Sequence, residues 1–267
     1  MPIEVATEIQ MLGQEEFHAL DKNLMGVVFD VHNQFGRFLD EALYKVEIAA
    51  RWLAAGFDSV EREVRVSATH ESFRKDYSMD LLFNHGLLLE AKVAERLVAK
   101  HDAQTLNYMF LCGMNHARLV NLRPEKVEYK ILSTGLTREA RQRFTVADDG
   151  WRSVNHESAR LREYVLALLQ DWGAFLEITL YREAVIHFLG GPSQVIRPVE
   201  VQSRGKMIGA QSVHLLTADT AFAFTASVSN QEAMRDHQMR ILQHTPLRFI
   251  QWVNFHHDRI EFTTLSK

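Results

Sequence analysis

Apolar residues recur at helical spacing over residues 15–35, with Phe17, Leu20, Leu24, Val28, Val31 and Phe35 on one stripe. After Gly36 a second helical pattern runs over 39–55, carrying Leu43, Val46, Ala50 and Leu53, and Gly56 closes it. The period then changes. Val60, Val64 and Val66 mark an extended segment, and 77–83 and 87–93 mark two more. Helical spacing returns over 101–112, and strands are predicted at 116–122 and 126–132. The core order is helix, three strands, helix, strand, with extra elements at each end. The polar stretch 134–158, containing Ala147-Asp-Asp-Gly150, reads as a linker with one short helix at 137–144.

Beyond that stretch the chain repeats itself. Gly36-Arg-Phe-Leu-Asp-Glu-Ala-Leu-Tyr-Lys45 is answered by Gly173-Ala-Phe-Leu-Glu-Ile-Thr-Leu-Tyr-Arg182. Val60-Glu-Arg-Glu-Val-Arg-Val66 is answered by Val195-Ile-Arg-Pro-Val-Glu-Val201. Val120-Asn-Leu122 and Val127-Glu-Tyr129 are answered by Val253-Asn-Phe255 and Ile260-Glu-Phe262. A period this long is the size of a domain, so two tandem copies of one α/β fold are expected. The expected boundaries are 1–136 and 150–267, joined by a linker at 137–149.

Composition agrees with this division. A chain of 267 residues that is 46% hydrophobic can fill one large core or two cores of ordinary size. Its longest apolar runs, such as 165–169, are far too short to cross a bilayer. The opening Met1-Pro-Ile-Glu-Val-Ala lacks a basic region leading into an apolar one, so no secretory signal is read. A lone Cys112 excludes an internal disulfide framework and is expected to be a buried spectator. A soluble cytoplasmic protein is expected. The net charge of -4 argues against coating nucleic acid non-specifically, but leaves room for an enzyme with a local groove.

The candidate chemistry lies in Met79-Asp-Leu-Leu-Phe-Asn-His-Gly-Leu-Leu-Leu-Glu-Ala-Lys92. Asn84-His85-Gly86 between two apolar runs predicts a β-hairpin. If Phe83 pairs with Leu87, Asp80 pairs with Glu90, their Cβ atoms about 5 Å apart on one face. Lys92 then points to that face, because strand side chains alternate. Such charges on a solvated hairpin would be unremarkable. Here Leu81, Leu82 and Leu87–Leu89 predict a buried strand, where two opposed carboxylates are costly unless a cation lies between them. A divalent ion with oxygen ligands suits that place, Mg²⁺ before Mn²⁺. Lys92 beside it can orient water or stabilise charge developing on a phosphate.

Asp80 followed by Glu90-Ala-Lys92 resembles the signature of the PD-(D/E)XK nuclease superfamily, and the predicted element order resembles its restriction endonuclease-like core. Gln104-Thr-Leu-Asn-Tyr108 resembles the Gln-x-x-x-Tyr motif of the RecB-like branch. Phe35-Gly36 and Glu41-Ala-Leu-Tyr44 resemble the namesake region of the GxxExxY family, although Phe38 stands where that family has glycine. The resemblance spans residues 15–133. It implies a metal-dependent nuclease with Glu41, Asp80, Glu90 and the carbonyl of Ala91 as metal ligands. Asp80, Glu90, Lys92, Gln104 and Tyr108 are its implied catalytic residues, and Tyr44 is assigned to packing. Nucleic acid, with DNA favoured by the resemblance, is the expected partner. No membrane is expected, and a homo-oligomer stays open.

The second half is an internal comparison. Aligning hydrophobic patterns sets Ile178 against Glu41, His214 against Asp80, Thr225 against Glu90 and Ser227 against Lys92, with Gln238 near the place of Gln104. Every ionisable group of the candidate site is lost or changed, which predicts a non-catalytic copy. The rival reading is a nucleic-acid-binding or assembly module that keeps a vestigial site.

Overall fold

The structure is a computed structural model describing residues 2–267. Its contacts form two compact units. One holds residues up to Thr69 with Arg74–Arg138, and the other holds His70–Phe73 with Glu139–Lys267. Each is mixed α/β around a six-stranded sheet. No helix among the described residues is long and apolar enough to cross a membrane.

The first unit runs β1 (Ile3–Val5), α1 (Gln14–Phe35), α2 (Glu41–Ala54), β2 (Val60–His70), β3 (Phe73–Phe83), β4 (Leu87–Lys92), α3 (Ala99–Cys112), β5 (His116–Asn121) and β6 (Glu128–Ser133). The strands lie in chain order across the sheet. β3 and β4 are antiparallel, β4 and β5 are parallel neighbours linked through α3, and β5 and β6 are antiparallel. Leu87, Leu89 and Ala91 of β4 enter a core with Phe17, Leu24, Val28 and Val31 of α1. By alternation Glu90 and Lys92 face the other way.

The turn between β3 and β4 is tightly specified. Asn84 and His85 both have positive φ, 45° and 55°, and the Gly86 N–H donates to the Phe83 carbonyl at 3.0 Å. A Cβ at Gly86 would lie 2.6 Å from Leu12 Cγ and 2.7 Å from the Gln10 carbonyl oxygen, so only glycine fits.

Helix α2 is set differently from expectation. Tyr44, Ile48 and Trp52, one turn apart, are buried, whereas Leu43, Val46, Ala50 and Leu53 are exposed. The helix is apolar on two faces, and the aromatic face wins because its polar ends find partners. The Tyr44 hydroxyl donates to the Gly36 carbonyl at 2.5 Å, and the Trp52 indole N–H donates to the Ser59 carbonyl at 3.1 Å. Trp52 also stacks on Phe57 at 3.8 Å. Phe35, at the end of the α1 stripe, is likewise exposed.

The boundary falls in α4 (Arg138–Arg141), whose Arg138 belongs to the first unit, and β7 (Thr145–Gly150) follows in the second. The second unit continues through α5 (His156–Trp172), α6 (Ile178–Phe188), α7 (Pro192–Val195), β8 (Ile196–Ser203), β9 (Lys206–Thr217), β10 (Thr220–Thr225), α8 (Gln231–His244), β11 (Phe249–His256) and β12 (Arg259–Ser266). Its sheet order is β7-β12-β11-β10-β9-β8. Apart from α7, the sequence of elements from α5 to β12 is that of α1 to β6, and β10 and β11 are again parallel neighbours. β7 lies within the stretch read as linker. As an edge strand paired only with β12, it needs little apolar surface, so a polar segment suffices.

Two polar clamps recur. The Asn121 side chain accepts from the Ala94 N–H at 3.0 Å and donates to the Ala94 carbonyl at 2.7 Å and to Glu128 at 3.1 Å. Asn254 makes the same three bonds to Ser227 and Glu261, at 2.9, 3.0 and 3.1 Å. The Tyr181 hydroxyl donates to the Gly173 carbonyl as Tyr44 does to Gly36.

α1 is tied to β5 by Asp21 and Arg118, both buried, in a two-bond carboxylate–guanidinium pair whose Nε–Oδ1 bond is 2.6 Å. Removing one partner strands the other charge in the interior. Arg118→Leu is expected to destabilise the first unit by ~3–5 kcal/mol. Adding Asp21→Leu should restore most of that loss. Urea unfolding midpoints of the two variants check both outcomes, and equal midpoints would show that the stranded charge is not the cause.

Candidate active site

The hairpin register sets the site. Phe83 pairs with Leu87, Leu82 with Leu88 and Leu81 with Leu89, so Asp80 falls opposite Glu90 at the next step. Asp80 is 6% exposed and Glu90 1%. Asp80 Oδ2 accepts from the Ala91 N–H at 2.9 Å, which turns its carboxylate toward β4. Lys92 Nζ donates to Glu90 Oε1 at 2.6 Å and lies 4.0 Å from Asp80 Oδ2. Glu90 Oε2 is buried and, among the described residues, has no hydrogen-bond partner.

Electrostatics follow from this geometry. Burial, then the Asp80 charge, push the Glu90 carboxyl up to about 7, and the Lys92 ammonium offsets this only in part. Burial works against the Lys92 charge, but Glu90, Asp80 and Glu41 together hold it above the usual lysine range.

Helix α2 supplies the rest. Tyr44 faces the core, and Lys45, the next residue, reaches β2 and β3. Its Nζ lies 2.9 Å from Asp80 Oδ1, 2.5 Å from Glu63 Oε1 and 3.7 Å from Glu41 Oε1. Burial opposes the Lys45 charge, yet hydrogen bonds to Glu63 and Asp80 hold it above the ordinary lysine range. Glu63 has φ 53°, a left-handed conformation inside β2. Its other carboxylate oxygen accepts from the Ser78 hydroxyl at 2.8 Å. Burial raises the Glu63 carboxyl, but its bonds to Lys45 and Ser78 prevail and lower it.

Sequence reasoning missed Lys45 and Glu63. The i,i+4 spacing of Glu41 and Lys45 was a usable signal. Nothing in the sequence announces a left-handed glutamate in mid-strand.

Glu41, Asp80, Glu90 and Lys92 thus come together, and Ala91 lies between the last two with its N–H on Asp80. Glu41 is drawn to Lys45. Among the described residues no three His, Cys, Asp or Glu side chains are arranged to hold a metal ion. The part that suits a cation is narrower: two opposed, buried carboxylates, one with an unpartnered oxygen. Gln104 and Tyr108 bond to each other, Nε2 to hydroxyl at 3.2 Å, and Tyr108 packs edge-on to Tyr77 at 6.3 Å. Cys112 Sγ lies 3.6 Å from Met79 Sδ, and burial pushes its thiol up to about 12.

Aligning the two sheets on their asparagine clamps gives a register comparison. Lys92 is opposite Asn121, and Thr225 is opposite Asn254. Glu90 therefore corresponds to Ala223 and Lys92 to Thr225, not to Thr225 and Ser227. Phe222 pairs with His214, which sets Val213 opposite Ala223 and makes Val213, not His214, the counterpart of Asp80. The corrected positions are also without ionisable groups.

The sequence profile of the PD-(D/E)XK nuclease superfamily matches residues 18–132, the segment from α1 to β6 that carries this cluster. No curated protein and no solved structure shows significant similarity to the chain.

The raised Glu90 carboxyl predicts a pH signature for metal-free protein. A folded-state pKa above the unfolded value of 4.5 favours the protonated fold, so stability falls as pH rises from there to about 7. Glu90→Gln cannot ionise. In EDTA it should melt above wild type near pH ~8, with the gap closing by about pH 5. A gap independent of pH would remove Glu90 as its source.

Proposed function

We propose that the first unit, within the segment matched by the PD-(D/E)XK nuclease profile, is a divalent-metal-dependent nuclease hydrolysing phosphodiester bonds, with DNA as substrate. The observation that carries this is the buried Glu90 carboxylate, one oxygen unpartnered, facing Asp80 with the Lys92 ammonium alongside. Structural ion pairs rarely leave a buried carboxylate oxygen bare, because its desolvation is then uncompensated. A binding site for a cation supplies the reason.

Asp80 and Glu90 would hold Mg²⁺ or Mn²⁺, with the Ala91 carbonyl and Glu41 as further candidates. Bound there, the ion supplies Lewis acidity toward a phosphate oxygen. Lys92 is pinned by Glu90 and remains charged, so it can stabilise negative charge developing on the phosphate. Lys45 holds Asp80 from the other side and keeps Glu41 and Glu63 within reach. Gln104 and Tyr108 we assign to orienting the substrate backbone.

The second unit we read as a degenerate copy. The shared element order, the Asn121 and Asn254 clamps and the Tyr44 and Tyr181 bonds support that reading. One observation favours the alternative of a non-catalytic nucleic-acid-binding module: Lys45 already neutralises Asp80 and Glu63 as a resident cation would.

Two measurements separate the readings. Calorimetry with Mg²⁺ and with Mn²⁺ should give binding heat for wild type and little for Glu90→Ala; equal heats would exclude this pair as the metal site. Plasmid, linear and single-stranded DNA should be cleaved with either metal and not in EDTA. Lys92→Ala should lower cleavage by about a hundredfold or more while retaining metal binding. Cleavage within a few-fold of wild type would move the chemistry elsewhere, and no cleavage by wild type would favour the binding module.

A further inference from the structure

A cavity of about 450 Å³ opens in the second unit between α8 and the β8–β10 side of the sheet, with Arg182 of α6 at its edge. That volume suits a small organic ligand. Val213, Ala223 and Ile241 line it, the first two packed against the same cluster as Leu242 of α8. Its polar lining includes Arg182, His214 and Gln238.

Arg182 follows Tyr181 as Lys45 follows Tyr44, but its surroundings are opposite. Three carboxylates surround Lys45. Arg182 is partly buried and, among the described residues, makes no hydrogen bond or ion pair. A half-buried guanidinium fork without an acceptor is matched by an anion, and phosphate fits its geometry. His214 stacks on Phe222 at 5.2 Å, and burial, then the neighbouring Arg182 charge, hold its imidazole below the usual range. A neutral imidazole offers one donor or one acceptor, and the Gln238 amide offers both. Apolar walls, neutral hydrogen-bonding groups and a guanidinium unpaired among the described residues together match a nucleobase joined to a phosphate.

We propose that this cavity binds a nucleotide, its phosphate on Arg182 and its base against Val213, Ala223 and Ile241. The proposal stands whether or not the first unit cleaves nucleic acid. The nucleotide can be free or the phosphorylated end of a strand, since both present the same chemistry.

Titration calorimetry on the full chain in EDTA tests it, with nucleoside monophosphates, the matching nucleosides, and oligonucleotides with and without a 5′-phosphate. Wild type should bind at least one phosphorylated ligand, and removing the phosphate should weaken binding about tenfold or more. Arg182→Gln should weaken the phosphorylated ligand by a similar factor and leave the nucleoside unchanged, a pattern that loss of fold would not give. Gln238→Trp, which adds bulk to the lining, should weaken both. Tighter binding of the monophosphate assigns a free nucleotide, and equal or tighter binding of the phosphorylated oligonucleotide assigns a strand end. The proposal is overturned if no nucleotide binds at millimolar concentration, if Arg182→Gln binds as wild type does, or if benzoate or decanoate binds more tightly than every nucleotide.

Discussion

The repulsion between Asp80 and Glu90 is the constraint around which the first unit is organised. Two carboxylates on adjacent strands, both nearly inaccessible to water, raise each other's energy and cannot be screened by solvent. Everything near them compensates. The Ala91 amide binds one, Lys92 binds the other, and Lys45 arrives from a separate helix to bind Asp80 from its far side. The compensation stops short at one Glu90 oxygen. A fold selected only for stability would fill those two positions with apolar residues.

The position of α2 therefore matters more than its length. Its buried aromatic face fixes its rotation, and that rotation aims Glu41 and Lys45 at the sheet. Turning the helix to bury Leu43, Val46 and Leu53 would carry Lys45 away from Asp80. The Tyr44–Gly36 and Trp52–Ser59 bonds are thus part of the site, although neither residue approaches the carboxylates in any hydrogen bond.

Much of this was legible in the sequence, for identifiable reasons. The change of period from helical to alternating located the helices and central strands, and Asn84-His85-Gly86 set the register that brings Asp80 to Glu90. Besides the left-handed Glu63, three things were not legible. Periodicity cannot choose between two apolar faces of one helix, and here it points to the wrong face of α2. It cannot see an edge strand that buries almost nothing, so β7 looks like linker. Nor can it detect a slip of two residues, because alternation is unchanged by it; hence Thr225 and Ser227 were matched where Ala223 and Thr225 belong. Only a contact with a fixed partner, such as Asn254 on Ser227, breaks that degeneracy.

The short loop at Asn84–Gly86 has a consequence for the order of events as the chain folds. Closing so small a loop costs little entropy, so β3 and β4 can meet early, on the microsecond scale typical of hairpins. Lys45 belongs to a helix far upstream and depends on docking of that helix. The hairpin must then form against its own charge, with only Lys92 at hand. Repulsion between the two carboxylates therefore opposes the pairing of these two strands, and neutralising it eases that step of folding.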